Sequence, residues 1–182
     1  MLASSCKKTG NNTPTDLNVE VFETSRSGHQ LTKIDSFNTV ETKTHITLNP
    51  QKTFQTFTGF GGAFTESSAY LLNQLSPENR KKIIDAYFAD SGAKYSLMRT
   101  HMNSCDFSLR QYSYAPVEGD KNLKHFSIKE DQPDLIPMIK DAMAASKDGF
   151  KLFASPWTAP PWMKTNNDWV GGKLKPEYYD TW

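Results

Sequence analysis

The residues best suited to chemistry lie at the end of one segment, Tyr95–Phe107. Its beginning is apolar, with Leu97 and Met98, whereas its end carries Arg99, His101, Asn103 and Asp106. Because charged and amide groups are rarely buried without partners, this pattern predicts a buried strand whose C-terminal end opens into a polar pocket. In an α/β barrel the active site lies at that end of the strands. A purely structural ion-paired strand end is the alternative.

A second stretch, Ser155–Lys164, combines aromatic residues with three prolines. Proline fixes the backbone, so this loop should hold its aromatic side chains at defined positions. Trp157 could stack on the flat apolar face of a ligand or pack in a core. Trp162 and Trp169 are assigned to loop packing.

A glycine-rich run, Phe57–Glu66, precedes both stretches. Its spacing is not that of a dinucleotide-binding loop, and no Lys-Ser or Lys-Thr pair follows, so a phosphate cradle is disfavoured. We interpret Gly59, Gly61 and Gly62 as allowing positive φ angles or close strand packing at a barrel mouth. Glu66 is assigned a structural hydrogen bond.

The bulk composition is that of a globular domain: 182 residues, a net charge of +1 and 37% hydrophobic residues. No basic stripe is present to neutralise phosphates, so nucleic acid is not an expected partner. The two cysteines, Cys6 and Cys105, and the four scattered histidines form no metal motif. We therefore predict no metal and no cofactor, and we read Cys105 as a small buried apolar residue.

The chain divides by pattern into three parts. Residues 1–16 read as a disordered tether, and residues 17–57 read as strands without helical periodicity. The predicted strands are centred on Val19, Val21, Gln30–Ile34, Thr44–Leu48 and Gln55–Phe57. Because a sheet of two or three strands is marginal alone, this part is expected to contribute to an accessory sheet.

Residues 58–182 alternate between strand and helix signals. Ser76-Pro77-Glu78 predicts a helix start and Gly92 its C-terminal stop, and a second helix over Leu135–Met143 is predicted to end at Gly149. Strands are predicted around Met98 and over Phe150–Ala154, and a third helix begins near Lys175. The three β-α units predict parallel strands with right-handed crossovers. Because a closed barrel needs eight units and about 250 residues, the chain is expected to be the N-terminal part of a larger (β/α)8 barrel protein.

Three motifs in this order make a more specific pattern. They are Gly59–Glu66, Arg99–Phe107 with Tyr112-Ser113-Tyr114 after it, and Ala154–Asn166. Together they resemble glycoside hydrolase family 30, which contains lysosomal acid β-glucosidase (glucosylceramidase) and β-1,6-glucanases. The resemblance implies a (β/α)8 barrel with a side β-sandwich, to which the strands before Thr58 would contribute.

The resemblance also implies roles for individual residues. Asp106 is similar to the family's aspartate that binds sugar hydroxyls in the −1 subsite, and Phe107 to its neighbour in the pocket wall. Trp157 is similar to the indole beside the same sugar, and Arg99 to the arginine near the nucleophile. Carboxylate, indole and guanidinium groups suit these tasks. We leave open whether His101 lines the pocket or satisfies the strand end.

The family retains anomeric configuration with two glutamates, about 5 Å apart in retaining enzymes. The resemblance implies an acid/base in an Asn-Glu-Pro motif after the fourth strand and a nucleophile after the seventh. No glutamate of this sequence matches either position. We therefore expect the parent protein to hydrolyse β-glucosidic bonds of glucosylceramide or β-1,6-glucan, and this chain to be inactive by itself. A non-catalytic carbohydrate-binding or scaffold protein is the alternative function.

The N-terminus carries a further prediction. Small residues lead into Cys6, and a polar run follows, which resembles the end of a bacterial lipoprotein signal. We expect Cys6 to be lipidated and the protein to be exported, either as a periplasmic or cell-surface lipoprotein or in secreted form. The partner would be a β-glucoside or a glycolipid, with membrane contact only through this anchor.

Overall fold

The computed structural model describes residues 20–36, 44 and 46–182, and the chain forms two units, Met1–Thr53 and Phe54–Trp182. In the first unit, β1 (Val21–Glu23) pairs antiparallel with β2 (Thr32–Ile34), so that Val21 lies opposite Ile34. Gly28 adopts a φ of 109° in the connecting turn, a backbone conformation that glycine adopts without strain. Strands were also predicted around Val19 and over Thr44–Leu48. Val19 lies outside the described residues, whereas Thr44 and Ile46–Leu48 form no strand. The accessory sandwich stays a prediction.

The second unit is built on a parallel sheet of three strands in the order β3 (Ala63–Phe64), β4 (Leu97–Met102), β5 (Lys151–Pro156). Arg99 in the central strand lies between Ala63 and Phe153. Parallel pairing with helices between the strands confirms the predicted α/β class. The strand predicted at Gln55–Phe57 is wrong: those residues are not in a strand, and the first strand of this sheet begins at Ala63.

Three α-helices cover one face of the sheet. They are α1 (Glu66–Asn73), α2 (Pro77–Phe88) and α3 (Leu135–Ala145). The predicted start of α2 is confirmed, because the Ser76 hydroxyl accepts a hydrogen bond from Asn79 N at 3.3 Å and Pro77 occupies the first turn. Helix α1 was not predicted. It has eight residues, and the Thr65 hydroxyl caps it by accepting from Ser68 N.

Two predicted helix ends differ from the structure. Helix α2 ends at Phe88 rather than next to Gly92, and the chain then folds back so that Ala93 N donates to Ala86 O at 2.8 Å. A Cβ atom on Gly92 would lie 2.4 Å from Ala86 O, so glycine is required by this close return rather than by a helix cap. Helix α3 ends at Ala145, four residues before Gly149.

The predicted third helix near Lys175 is a single 3-10 turn, Pro176–Tyr178. Trp182 N donates to Tyr178 O at 2.9 Å, so the chain continues as turns. The Lys175 side chain donates to Trp162 O at 3.0 Å. A proline at the first position starts a helix well, yet it does not supply the further hydrogen bonds that lengthen one.

The hydrophobic core lies between the sheet and the helices. Phe64 and Met98 point into it from neighbouring strands, and Phe64 stacks on Phe88 with ring centroids 5.7 Å apart. The other core members are Ala69, Ile84, Leu135, Met138 and Ala142. Each large side chain buried here stabilises the fold by about 1.5–3 kcal/mol. Phe153 lies beside Arg99, the residue after Met98, and is 49% exposed, so the opposite face of the sheet is open at this position.

The glycine-rich run lies at the wrong end of the strands for its predicted place at the barrel mouth. A Cβ atom on Gly61 would lie 1.4 Å from Leu97 O, where β4 begins, and one on Gly59 would lie 1.8 Å from Ser96 Oγ. Gly59 also has a φ of 131°. The predicted close packing and positive φ are both present, but at the amino ends of the parallel strands, opposite the edge where barrel active sites form.

Candidate functional site

The C-terminal edge of the sheet brings Arg99 and Trp157 together. Arg99 extends from β4, and Trp157 follows the last residue of β5. The guanidinium carbon lies 4.7 Å from the centroid of the indole, which is a cation–π contact. The indole keeps 43% of its surface exposed, so part of it is open to a ligand. This contact places an arginine and a partly exposed tryptophan side by side at the carboxyl edge of a parallel sheet.

Asp106 and Phe107 stand on a tight turn that follows β4. Ser108 N donates to Cys105 O at 3.1 Å, and Cys105 N donates to the Ser108 hydroxyl at 3.0 Å. Both Asp106 and Phe107 are exposed, so the turn presents a carboxylate and a phenyl ring to solvent. The prediction that Cys105 is buried is wrong: it is partly exposed, and its sulfur accepts from Phe107 N at 3.4 Å.

The first turn of α1 fixes the position of this turn. Both Ser67 N and the Ser67 hydroxyl donate to Phe107 O, at 3.0 and 2.6 Å. The buried Glu66 carboxylate accepts from Leu109 N at 3.0 Å. Glu66 therefore makes the structural hydrogen bond that its sequence context indicates. The first turn of α1 and the Asp106 turn after β4 are therefore joined by hydrogen bonds to the backbone of Phe107 and Leu109.

Asn103 joins the ends of β4 and β5. It is 3% exposed and adopts a φ of 62°, a left-handed conformation that asparagine tolerates better than most residues. Its Oδ1 accepts from Tyr114 N at 2.9 Å, and its Nδ2 donates to Thr158 O at 3.2 Å. One amide group therefore holds the long loop after β4 against the residue that follows Trp157.

A buried carboxylate anchors the long loop after β4 at a second point. The Asp131 side chain accepts from the Tyr112 hydroxyl at 2.8 Å and from the Tyr114 hydroxyl through its other oxygen. Burial, and then the hydrogen bond to Asp131, raise the pKa of both phenols well above the ordinary tyrosine value. Both phenols thus stay protonated and donate at every pH at which the protein would act.

His101 satisfies the end of β4. Its ring is 4% exposed, and Nδ1 donates to Asn103 O at 2.7 Å. Because a carbonyl oxygen only accepts, Nδ1 carries the proton of this hydrogen bond. Nε2 is buried and meets no hydrogen-bond partner within residues 20–36, 44 and 46–182. Of the two roles considered for His101, the strand-end contact is the one observed.

Two tryptophans were assigned to loop packing. Trp162 is buried, its indole N–H donates to Ala115 O at 3.0 Å, and its ring meets Tyr178 edge-on at 4.9 Å, so the assignment holds. Trp169 instead lines a surface cavity that it shares with Trp157. Sequence reasoning gave no role to Ser67, Asp131 or Lys164 and placed Asn103 only among the polar residues of the strand end, although all four hold the loops of this site in place.

Other predicted features have no structural counterpart to report. Cys6 lies outside the described residues. Across the part of the chain that the structure describes, no group of three His, Cys, Asp or Glu side chains could hold a metal ion. In that same part, no helix is both long and apolar enough to cross a membrane.

The geometry defines a class of fold and site: parallel β-α units with polar and aromatic side chains at their carboxyl edge, as in an α/β-barrel enzyme. A family model for the glycosyl hydrolase family 30 TIM-barrel domain matches residues 57–182. The chain belongs to glycoside hydrolase family 30, which the three sequence motifs indicated.

Individual relatives agree with this assignment. Lysosomal acid glucosylceramidase of Mus musculus is 43% identical over 143 residues, which cover 75% of this chain and 28% of that protein. The crystal structure of SrfJ from Salmonella typhimurium superposes with a TM-score of 0.67 at 39% identity, covering 71% of this chain and 29% of that one. The endo-β1,6-glucanase BT3312 gives a TM-score of 0.69 at 31% identity, with 84% and 34% covered. The chain thus spans about a third of the length of these relatives.

Proposed function

We propose that the protein to which this chain belongs is a retaining β-glycosidase that hydrolyses β-glucosidic bonds. The observation that carries the proposal is the contact between Arg99 and Trp157 at the carboxyl edge of the parallel strands. Membership of glycoside hydrolase family 30 supports the reaction class. One relative is named a glucosylceramidase and another an endo-1,6-glucanase, so glucosylceramide and β-1,6-glucan are the two substrates to test.

In this proposal the chain supplies the grip on the sugar. Asp106 is the exposed carboxylate that would accept hydrogen bonds from sugar hydroxyls, and Phe107 would form the wall beside it. Trp157 would pack against the C–H face of the same ring. Arg99, held against that indole, would use its remaining N–H donors to keep the nucleophile ionised.

The two carboxylates that cleave the bond are proposed to come from other segments of the barrel. A retaining enzyme places them about 5–5.5 Å apart, one as acid/base and one as nucleophile. Glu66 makes a buried structural hydrogen bond, which leaves it unsuited to either task. We therefore propose that the 182-residue chain alone does not hydrolyse glycosides, which incubation of the purified chain with an aryl β-glucoside would test.

The role of Asp106 gives the sharpest test of the proposed function. In the full-length protein, Asp106→Ala should lower kcat/KM for an aryl β-glucoside by about 100-fold or more. The reason is that each charge-assisted hydroxyl contact contributes about 1.5–3 kcal/mol, or a factor of about 10–150. Because such contacts strengthen in the transition state, most of the loss should appear in kcat.

The matched control is Asp148→Ala. Asp148 is also exposed, but it precedes β5 at the opposite end of the strands and lies 3.7 Å from Lys94. This variant should hydrolyse the glucoside like the wild type. Wild-type turnover by Asp106→Ala would refute the role given to Asp106. Absence of turnover by the wild-type protein on aryl β-glucoside, β-1,6-glucan and glucosylceramide alike would refute the proposed function.

A further inference from the structure

A cavity of about 500 Å³ opens beside Trp157. Its wall is aromatic on several sides and polar at one point, and it is formed by Trp157, Thr158, Lys164, Trp169, Leu174 and Trp182. This volume lies within the range of cavities that hold small ligands. Because Trp157 belongs to both, the cavity continues directly from the proposed sugar site.

Lys164 is the polar group in this wall, and its setting is unusual for a lysine. Only 5% of the residue is exposed, although lysine is rarely buried without an ionic partner. Its ammonium donates to Trp169 O at 2.8 Å and to Thr158 Oγ1 at 3.1 Å. No carboxylate pairs with it among the described residues.

Two hydrogen bonds leave one of the three ammonium N–H donors for a ligand. Both acceptors of Lys164 are neutral, so its charge favours a ligand that brings electron-rich oxygen atoms. Indole faces beside such a donor match the two sides of a pyranose, whose C–H face stacks and whose hydroxyl edge accepts hydrogen bonds. An acyl chain would leave the ammonium desolvated without a new partner, which is costly.

We propose that this cavity is a second sugar subsite, which holds the unit next to the one that Asp106 and Trp157 bind. Lys164 donates to a hydroxyl of this second sugar, and Trp169 packs against its ring. The inference rests on the proposed β-glycosidase function and extends it. It makes the substrate a chain of at least two sugars and gives Trp169 a binding role in place of simple packing.

The test compares one-sugar and two-sugar substrates in the full-length protein. The one-sugar substrate is 4-nitrophenyl β-glucoside, and the two-sugar substrates are 4-nitrophenyl β-gentiobioside and gentiobiose, which place the second unit on either side of the cleaved bond. Lys164→Met should lower kcat/KM for at least one two-sugar substrate by about 10-fold relative to the one-sugar substrate. That factor corresponds to the loss of one charge-assisted hydrogen bond.

Lys175→Met is the matched control, because Lys175 is a half-buried lysine of the same segment that donates to Trp162 O and does not line the cavity. It should leave the ratio of the two kcat/KM values unchanged. If Lys164→Met does not fold, Trp169→Ala serves as the test variant. It keeps the backbone carbonyl that accepts from Lys164, and it should lower the kcat/KM of a two-sugar substrate relative to the one-sugar substrate.

Failure of this inference differs from failure of the proposed function. The subsite alone would be overturned if Lys164→Met hydrolyses the one-sugar substrate normally and leaves the kcat/KM ratios of both two-sugar substrates to the one-sugar substrate unchanged. Where the lysine variant does not fold, the same result in Trp169→Ala would overturn it. Absence of wild-type hydrolysis on every β-glucoside would overturn the function and, with it, the subsite. A selective loss on a two-sugar substrate, with Lys175→Met at wild-type ratios, would support both.

Discussion

Asn103→Ala should destabilise the protein more than any ordinary loop substitution. Asn103 is buried, and its side chain pairs with Tyr114 N and Thr158 O, which belong to the loops after β4 and β5. A methyl group in its place leaves one N–H and one carbonyl buried without a partner. The change also puts alanine at a φ of 62°, where asparagine and glycine are tolerated but alanine is strained.

The magnitude follows from these contacts. Each buried group left unpaired costs about 1–3 kcal/mol, and the left-handed backbone costs alanine about 1–2 kcal/mol. The Ser113 hydroxyl lies 3.4 Å from Asn103 Oδ1, too far to add a third full hydrogen bond. Asn103→Ala should therefore lower the free energy of unfolding by about 3–8 kcal/mol. Asn103→Gly loses the same hydrogen bonds without the strain and should cost about 1–2 kcal/mol less.

The assay is equilibrium unfolding of the full-length protein in urea, followed by tryptophan fluorescence, with the midpoint and slope fitted for each variant. Asn167→Ala is the matched control: Asn167 has a φ of 50° but is exposed, so this variant should show only the backbone cost of about 1–2 kcal/mol. If Asn103→Ala shifts the midpoint no further than Asn167→Ala does, the hydrogen bonds of Asn103 do not hold the two loops together.

Two further predictions concern other parts of the chain. Gly61→Ala should lower the free energy of unfolding by more than about 3 kcal/mol or prevent folding, because its Cβ would lie 1.4 Å from the carbonyl oxygen of Leu97, where β4 begins. Gly62→Ala should cost less, because its Cβ would meet only the Tyr95 ring at 3.7 Å. Equal urea midpoints for the two variants would contradict this prediction. The raised pKa of Tyr112 means that its phenol ionises only in the unfolded chain as pH rises above 10, so stability should fall there by up to about 1.4 kcal/mol per pH unit. Tyr112→Phe should show a smaller fall between pH 9 and 11, and an equal fall would remove Tyr112 as its cause.

Short-range sequence patterns predicted most helices and strands of the second unit, Phe54–Trp182. The start of α2 needs only the Ser76 cap on Asn79 N and Pro77 in the first turn. At the start of β4, Met98 is buried as the sequence indicates, whereas Leu97 is 37% exposed. The order of strand and helix signals was sufficient for a parallel sheet, because parallel strands require such crossovers. Helix α1 was missed because it is short and contains two serines, so it depends on packing of Ala69 and on its Thr65 cap.

The weaker predictions failed where the outcome depends on distant segments. Alternating residues at Thr44–Leu48 look like a strand, but alternation does not supply a neighbouring strand to pair with. The glycines were understood correctly as points of close contact, yet their place at the amino ends of the strands follows from the register of Gly61 against Leu97. That register is set by the whole sheet and is not visible in the glycine run alone.

The residues of the candidate site also fall into those that could be predicted from the sequence and those that could not. Arg99, Asp106, Phe107 and Trp157 could be named as candidates from the sequence because they stand in motifs, within or after a strand, that resemble those of the family. The contact between Arg99 and Trp157 follows once β4 and β5 are neighbours. The groups that hold them could not be named, because an asparagine or a lysine in a loop acquires its role only from the backbone groups that it meets.

The supporting groups also explain how the exposed residues that we propose to bind sugar are held in place. An exposed carboxylate selects among sugar hydroxyls only if its backbone is fixed, since a displacement of 1 Å can cost a large part of the rate. Here Ser67 and Glu66 hold the Asp106 turn through backbone atoms, and Asn103 holds the loop beside Trp157. The buried hydrogen bonds therefore hold the backbone that carries the exposed side chains, on elements that pack against the helical core.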